Sequence, residues 1–394
     1  MLTWEYPPLL VGGLGRHVEA LAGELATAGH QVCVVTRGDK QQATAETVAG
    51  VRVVRSAIDP LVIDFTTESL LAWAQAAEHS LLRAALPVVA QWRPDIVHAH
   101  DWLVGQSAVT LAQVTGSPIV ATMHATEAGR HQGWLPAPLN LAIHSAERWL
   151  AQSAAEVITC STSMRDEVSR LFELDAGQVV VVPNGIDPDA WHASPAERTA
   201  ARARLAPHTP LIAFAGRLVH EKGLQTLIDS LPSLRAMRPG LRLVVAGTGG
   251  HEPQLRARAR RLRVARAIEW AGFVDEDAVA VLLGAADVAV VPSLYEPFGI
   301  VALEAAAART PLIVADTGGL RDLATAGVAA GSFTPGDAPA LAAAITAVLD
   351  DSAAARRAVL RADRVIRRDY SWPAVAATTA AVYARASGGS AATS

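Results

Sequence analysis

Short runs of β-branched residues alternate along this chain with stretches of helical spacing, a pattern that a mostly parallel sheet covered on both faces accommodates. In the first half the runs are 31–37, 51–56, 95–100, 118–124, 156–161 and 179–185; in the second they are 211–217, 241–249, 268–274, 288–293 and 311–316. A polar, proline-broken segment, 187–209, interrupts the pattern between the halves. A single core rarely grows past roughly 250–300 residues, so 394 residues imply two domains. The expected fold is therefore α/β: two doubly wound domains, 1–186 and 210–370, facing each other across a cleft, with 187–209 as linker. After residue 337 the spacing is helical, and 371–394 reads as a terminal helix with a flexible Gly/Ser/Ala tail from 387.

Composition narrows the function classes. With 51% hydrophobic and 18% charged residues the chain is globular, not disordered. A net charge of −4 leaves no global footprint for nucleic acid, and the basic run at 256–263 reads as a solvated helix face. Cys33 and Cys160 lie inside apolar runs, which points to buried free thiols, a reducing compartment and a cytoplasmic location. No stretch reaches the ~18 apolar residues of a membrane span. Glu5 and a proline pair stand where a signal peptide would have a basic start and an apolar core. Lys40 and Lys222 are the only lysines, so Lys222 stands out in an arginine-rich chain.

Ligands of open α/β sheets bind beyond the carboxyl ends of the strands. The first strand, Met1 to Trp4, is short and runs into a loop holding Gly12, Gly13 and Gly15. The loop's backbone can approach a ligand, although a tight turn without one explains the same glycines. It is not a dinucleotide fingerprint: the spacing is not GxGxxG, and the next strand ends in ThrArgGly instead of an acidic residue. His98 and His100 share a face ahead of Asp101, which leaves a zinc amidohydrolase as an alternative. His124 follows at another strand end. In the second half Arg217 ends one strand and Lys222 opens the next helix, a fork and a point charge suited to a diphosphate. Gly299, in GluProPheGlyIle, turns a further helix N-terminus toward the same place.

TrpGluTyrProPro, GlyGlyLeuGlyArgHis, HisAlaHisAspTrp, HisAlaThrGluAlaGlyArg, ProAsnGlyIleAsp, Arg-x4-Lys at 217 and 222, and Glu-x7-Glu at 296 and 304 occur together in this chain. The set resembles the retaining glycosyltransferases of the two-Rossmann-domain GT-B type. It is most similar to actinobacterial α-1,4-glucosyltransferases of glycogen and methylglucose lipopolysaccharide synthesis. The resemblance covers residues 1 to about 385 and implies an N-terminal acceptor domain, a C-terminal nucleotide-sugar domain and a terminal helix crossing back to the first.

It further implies that Glu296 bonds donor-sugar hydroxyls and Glu304 holds the nucleotide ribose. Arg217 and Lys222 would neutralise the departing diphosphate, so no metal and no cofactor beyond UDP-glucose or ADP-glucose is expected. His124 would sit near the anomeric carbon. Gly13 and Gly15 would contact donor from the first domain, and Phe298, Gly299 and Ile300 from the second. Glu5, Asp101 and Asn184 would line the acceptor side, with Trp102 and Trp134 as candidate stacking surfaces. The implied partners are a nucleotide-sugar and an α-glucan or oligosaccharide, without nucleic acid or a transmembrane segment. Relatives usually carry a few more residues ahead of the first motif, so either the first strand is abbreviated here or the start is assigned late. Transfer of another hexose, such as mannose from GDP-mannose, to a lipid or small acceptor is the alternative within the fold. A nucleotide-sugar-binding protein without catalysis is the alternative outside it.

Overall fold

A computed structural model describes residues 1–175 and 177–389, which divide into two units, Met1–Gly185 with Trp372 onward and Ile186–Ser371. The first unit holds β1 (Cys33–Thr36), β2 (Thr44–Val48), β3 (Val51–Arg55), β4 (Val97–His100), β5 (Ile119–Met123), β6 (Glu156–Thr159) and β7 (Val179–Val181). β4 to β7 pair in chain order and in parallel, while β1 pairs with β3. Leu2 joins these two groups, bridging Val35 of β1 and Ala99 of β4. Its N–H donates to His98 (2.7 Å) and its carbonyl accepts from His100 (3.0 Å). Leu2 thus lies between β1 and β4.

Strands β1, β4 and β5 are buried along their whole length, as parallel strands covered on both faces must be. The helix Gly13–Thr27 buries Val18, Leu21, Ala22 and Leu25, one helical stripe. Leu21 and Leu25 pack with Val120 and Ile158 against Val375, Ala376 and Val382 of the terminal helix Trp372–Gly389. That helix belongs to the first unit. It continues through 387–389, where a flexible tail was expected; residues 390–394 lie outside the described residues.

The second unit is one parallel sheet of β8 (Leu211–Ala215), β9 (Arg242–Ala246), β10 (Ile268–Gly272), β11 (Val288–Val291), β12 (Leu312–Ala315) and β13 (Gly331–Phe333), ordered β10-β9-β8-β11-β12-β13. The chain reverses its direction of travel across the sheet between β8 and β11, the topological switch point where such folds bind ligands. The segment 187–209 lies in this unit and carries the helix Pro195–Leu205, capped by Ser194 with Glu197 in a reciprocal box.

Sequence reading finds eleven of the thirteen strands among the described residues. β2 is missed because it is a polar, mostly exposed strand in a hairpin closed by Ala49 and Gly50, both at positive φ. β13 is missed because GlySerPhe is too short to carry a periodicity.

Candidate functional site

In the second unit the residues singled out from the sequence converge on the loops after β8 and β11. Lys222 ends a single 3₁₀ turn, His220–Lys222, and Gly223 then opens the helix Leu224–Met237 at φ 69°. A Cβ on Gly223 would lie 1.8 Å from the Pro292 carbonyl, so the helix start and the end of β11 touch through backbone. Leu294 donates its N–H to the Glu221 carbonyl (2.8 Å), stitching the same two loops. Lys222 Nζ then reaches Glu296 Oε2 at 2.6 Å, and Ser293 Oγ donates to the same oxygen at 3.1 Å. A buried glutamate is therefore held by a cation seven residues past β8 and a hydroxyl just past β11.

Arg217 is different: its side chain is 74% exposed and lies 3.8 Å from Glu221, open to an anion from solvent. Gly299, at φ 104°, caps the helix Ile300–Ala307, whose N-terminus attracts negative charge. Glu304 sits in the second turn of that helix, partly buried. The Phe298 ring is buried, 6.2 Å from Tyr370, so main chain is what Phe298 offers a ligand, while Ile300 is 36% exposed.

Sequence reasoning missed the glycines that let these loops meet. Gly318, at φ 49°, would carry a Cβ 2.0 Å from the Glu296 carbonyl, and Gly319 donates its N–H to that carbonyl at 2.9 Å. Gly247 and Gly249 lie as close to the carbonyls of Gly216 and Leu218 (1.9 and 2.3 Å to an added Cβ). The signal was present: GlyThrGlyGly at 247–250 follows a strand directly, and GlyGly at 318–319 follows one after two intervening residues.

In the first unit the polar residues are spent on backbone. The Glu5 carboxylate, 1% exposed, accepts from the N–H groups of Val11, Gly12 (2.9 Å) and Gly15 (3.0 Å), filling the mouth of the helix Gly13–Thr27. Gly15 is needed there because a Cβ would meet Leu10 at 2.5 Å and the Glu5 backbone at 3.2 Å. Asp101 stands at φ 63°, strained for a residue with a Cβ, and its carboxylate accepts the His124 N–H (2.8 Å). Burial raises its pKa to about 6, opposed by that N–H and by Arg130. Asn184 is buried near His17.

His124, at the end of β5, is partly exposed, and its Nε2 lies 3.2 Å from His100 Nδ1. Burial pulls its pKa down to about 4. Burial, first, and then neighbouring imidazoles hold His17 and His100 well below the ordinary histidine value, so all three rings are neutral at pH 7. His98 is tied to Tyr383 and Thr122, each at 2.7 Å. Ring nitrogens of His17, His100 and His124 lie within 4.8 Å of one another, the one cluster among the described residues whose geometry could hold a metal ion.

The loop behind His124 is fixed in turn. Glu147, 3% exposed, accepts the Glu127 N–H with both oxygens (2.9 and 3.1 Å), and Asn140 bonds the Glu127 carboxylate at 2.6 Å. Burial pushes the Glu147 carboxyl up to about 8. Trp134 is 71% exposed, free for stacking, and Trp102 is partly buried in a 3₁₀ turn.

Comparison with known proteins agrees in both halves. Residues 11–190 match the family model described as glycosyltransferase family 4, and residues 197–364 that of glycosyl transferases group 1. A glycogen synthase of Mycobacterium tuberculosis (strain ATCC 25618 / H37Rv) is 43% identical over 99% of this chain and 95% of its own length. Among solved structures, sucrose-phosphate synthase from Thermosynechococcus elongatus superposes with a TM-score of 0.81 at 24% identity, covering 98% of this chain and 97% of that one. The catalytic domain of starch synthase IV from Arabidopsis thaliana, bound to ADP and acarbose, gives 0.74 at 19% identity, covering 98% of each. These structures share the GT-B fold of two Rossmann-like units. With the sequence match spanning nearly the whole of both chains, this chain belongs to the family 4 glycosyltransferases.

Proposed function

We propose that the protein moves glucose, with retention, from a nucleoside-diphosphate glucose to the non-reducing end of an α-1,4-glucan. The observation that carries this is the Lys222–Glu296 pair at the β8/β11 switch point, with Arg217 open beside it and a helix N-terminus leading to Glu304. The 43% identity to a glycogen synthase supports the glucan as acceptor. UDP-glucose and ADP-glucose are the proposed donors, and starch synthase IV, whose fold this chain shares, was solved with ADP.

Arg217, Lys222 and the backbone around Gly299 neutralise the leaving diphosphate, a service that needs no metal in this proposal. Glu296 bonds hydroxyls of the transferred sugar and Glu304 the ribose. Lys222 thus serves two partners: it holds Glu296 in place, and with donor bound it shares its charge with the phosphate. In the first unit, His124 acts on the sugar as a neutral imidazole, and Gly13 and Gly15 shape the loop toward the donor. The anomeric carbon–oxygen bond to phosphate breaks as the acceptor hydroxyl attacks from the same face, and the leaving phosphate takes the proton. Among the described residues no single helix is long and apolar enough to cross a membrane. We place the reaction in the cytoplasm.

The test is nucleoside diphosphate release from UDP-glucose, ADP-glucose and GDP-mannose, with and without maltooligosaccharide, beside Glu296→Ala. Release from a glucose donor that rises with maltooligosaccharide and collapses in the variant is the expected result. Release from GDP-mannose alone would overturn the glucose assignment, and release that maltooligosaccharide never stimulates would overturn the glucan.

A further inference from the structure

Three imidazoles from separate elements meet in the first unit, and the fold leaves two of them short of partners. His17 lies in the second turn of the helix Gly13–Thr27, His100 ends β4, and His124 directly follows β5. His17 is 7% and His100 0% exposed, yet His17 Nδ1 and His100 Nε2 have no hydrogen-bond partner. Buried ring nitrogens left in that state are costly, and each such group calls for an explanation beyond packing.

His100 Nδ1 and His124 Nε2 stand 3.2 Å apart, and one nitrogen from each of the three rings lies within 4.8 Å of the others. Two nitrogens on one tetrahedral zinc ion, at bonds of about 2.0–2.1 Å, stand about 3.3–3.4 Å apart. One pair is already at that spacing, and the third ring is within side-chain rotation of it. Two of the three are fixed through their main chain: the His100 N–H donates to Leu2 (3.0 Å) and the His124 N–H to Asp101 (2.8 Å). The neighbouring carboxylates are committed, that of Asp101 to this N–H and that of Glu5 to the glycine loop. The donor set is therefore nitrogen alone, which favours zinc, cobalt, nickel or copper over magnesium and calcium. His98 stands outside it, both its ring nitrogens being taken by Tyr383 and Thr122. His124 is partly exposed, which gives an ion a way in and leaves a fourth position open.

We propose that His17, His100 and His124 form a site for a divalent transition-metal ion, zinc foremost, and that the bound ion blocks transfer by occupying the His124 lone pair. An imidazole on a metal has no lone pair left for a sugar hydroxyl. The blockade rests on the glycosyl-transfer reading above; the metal site does not. The ion takes no part in the departure of the diphosphate, which belongs to the second unit.

The test uses the full chain without a histidine tag. Zinc affinity is measured by competition with a chromophoric chelator. Coordination is read from the visible spectrum of added cobalt(II), which absorbs strongly when four-coordinate and faintly as the aquo ion. His17→Gln removes one ligand, and His251→Gln, beside His220 in the second unit with ring centroids 5.6 Å apart, controls for other histidines. One zinc per chain, a four-coordinate cobalt spectrum and no competition from magnesium are expected. His17→Gln should weaken binding by at least the roughly 10- to 100-fold that loss of a ligand's outer partner costs, and His251→Gln should bind as the unaltered chain does. Thermal melts check that each variant is folded, and the cobalt spectrum of the unaltered chain needs no variant. An aquo-like cobalt spectrum, zinc binding that survives His17→Gln, or binding lost in His251→Gln overturns the site. Zinc bound there while nucleoside diphosphate release continues unchanged overturns the blockade. The chelator and cobalt readouts do not involve transfer, so a failure of the glucan reading leaves them standing, and their failure leaves maltooligosaccharide-stimulated release untouched.

Discussion

Both units are built on parallel strands, and the loops around their candidate site residues are held in different ways. In the second, backbone meets backbone through glycine, which leaves charged side chains such as Lys222, Glu296 and Arg217 turned to a shared space. In the first, carboxylates and amides hold the backbone: Glu5 the glycine loop, Asp101 the His124 peptide, Glu147 the helix start at Glu127. Where glycine closes the loops, polar side chains stay available for chemistry; where side chains close them, the polar groups become the scaffold. A substitution in the second unit should therefore strike activity first, and one in the first unit stability first.

The sharpest test of that contrast is Lys222→Ala. Loss of a preorganised cation facing developing negative charge costs about 10²–10³ in rate, and here it also leaves the buried Glu296 without its counter-ion. The expected outcome is a collapse in kcat measured well below the melting temperature, together with a melting temperature lowered by the unpaired buried carboxylate. A large drop in melting temperature with kcat retained would reverse the comparison.

Next is Gly318→Ala. An alanine at φ 49° is strained by roughly 1–3 kcal/mol, and its Cβ would sit 2.0 Å from the Glu296 carbonyl. The loop must shift, carrying Glu296 with it, so a rise in donor KM and a lower kcat are expected together. Unchanged kinetics would show that the glycine contact does not set the position of Glu296.

Glu5 sharpens the other side. Glu5→Ala would take the acceptor from three backbone N–H groups, of which the one on buried Gly15 is orphaned at roughly 1–3 kcal/mol, whereas Glu5→Gln keeps one acceptor oxygen for them. A stability loss in a denaturant melt that Gln partly restores is expected. If Glu5→Ala is as stable as the unaltered chain yet inactive, then Glu5 acts on substrate, as the acceptor-side expectation had it.

What the sequence made legible follows from this division of labour. Strand ends bearing Arg217, Lys222, His124 and the Glu296/Glu304 pair could be read because their residue types are unusual for an apolar neighbourhood. The bonding of Glu5 and Asp101 could not, because a carboxylate that caps a loop and one that binds a ligand have the same composition and spacing. Only the N–H groups of Val11, Gly12, Gly15 and His124 distinguish them, and those are brought near by the fold.

The smallest effect on activity belongs to Glu147, where the contrast becomes a pH dependence. Its carboxyl is pushed from 4.5 up to about 8 by burial, more than offsetting the Glu127 N–H that pulls it down. A raised acid pKa means that the folded chain holds a proton the unfolded chain releases, so between about pH 4.5 and 8 folding takes up a proton. The stabilisation is complete below the unfolded pKa and is lost as pH rises through the folded one. Glutamine has the shape of the protonated carboxyl, can accept the same N–H and cannot ionise. Glu147→Gln should therefore match the unaltered chain near the acid end of that window, become the more stable of the two toward its alkaline end, and leave kcat at neutral pH nearly unchanged. Parallel melting curves across the window would mean that Glu147 is ionised in the folded chain at neutral pH, and that the loop behind His124 is held by a charge instead of a neutral acid.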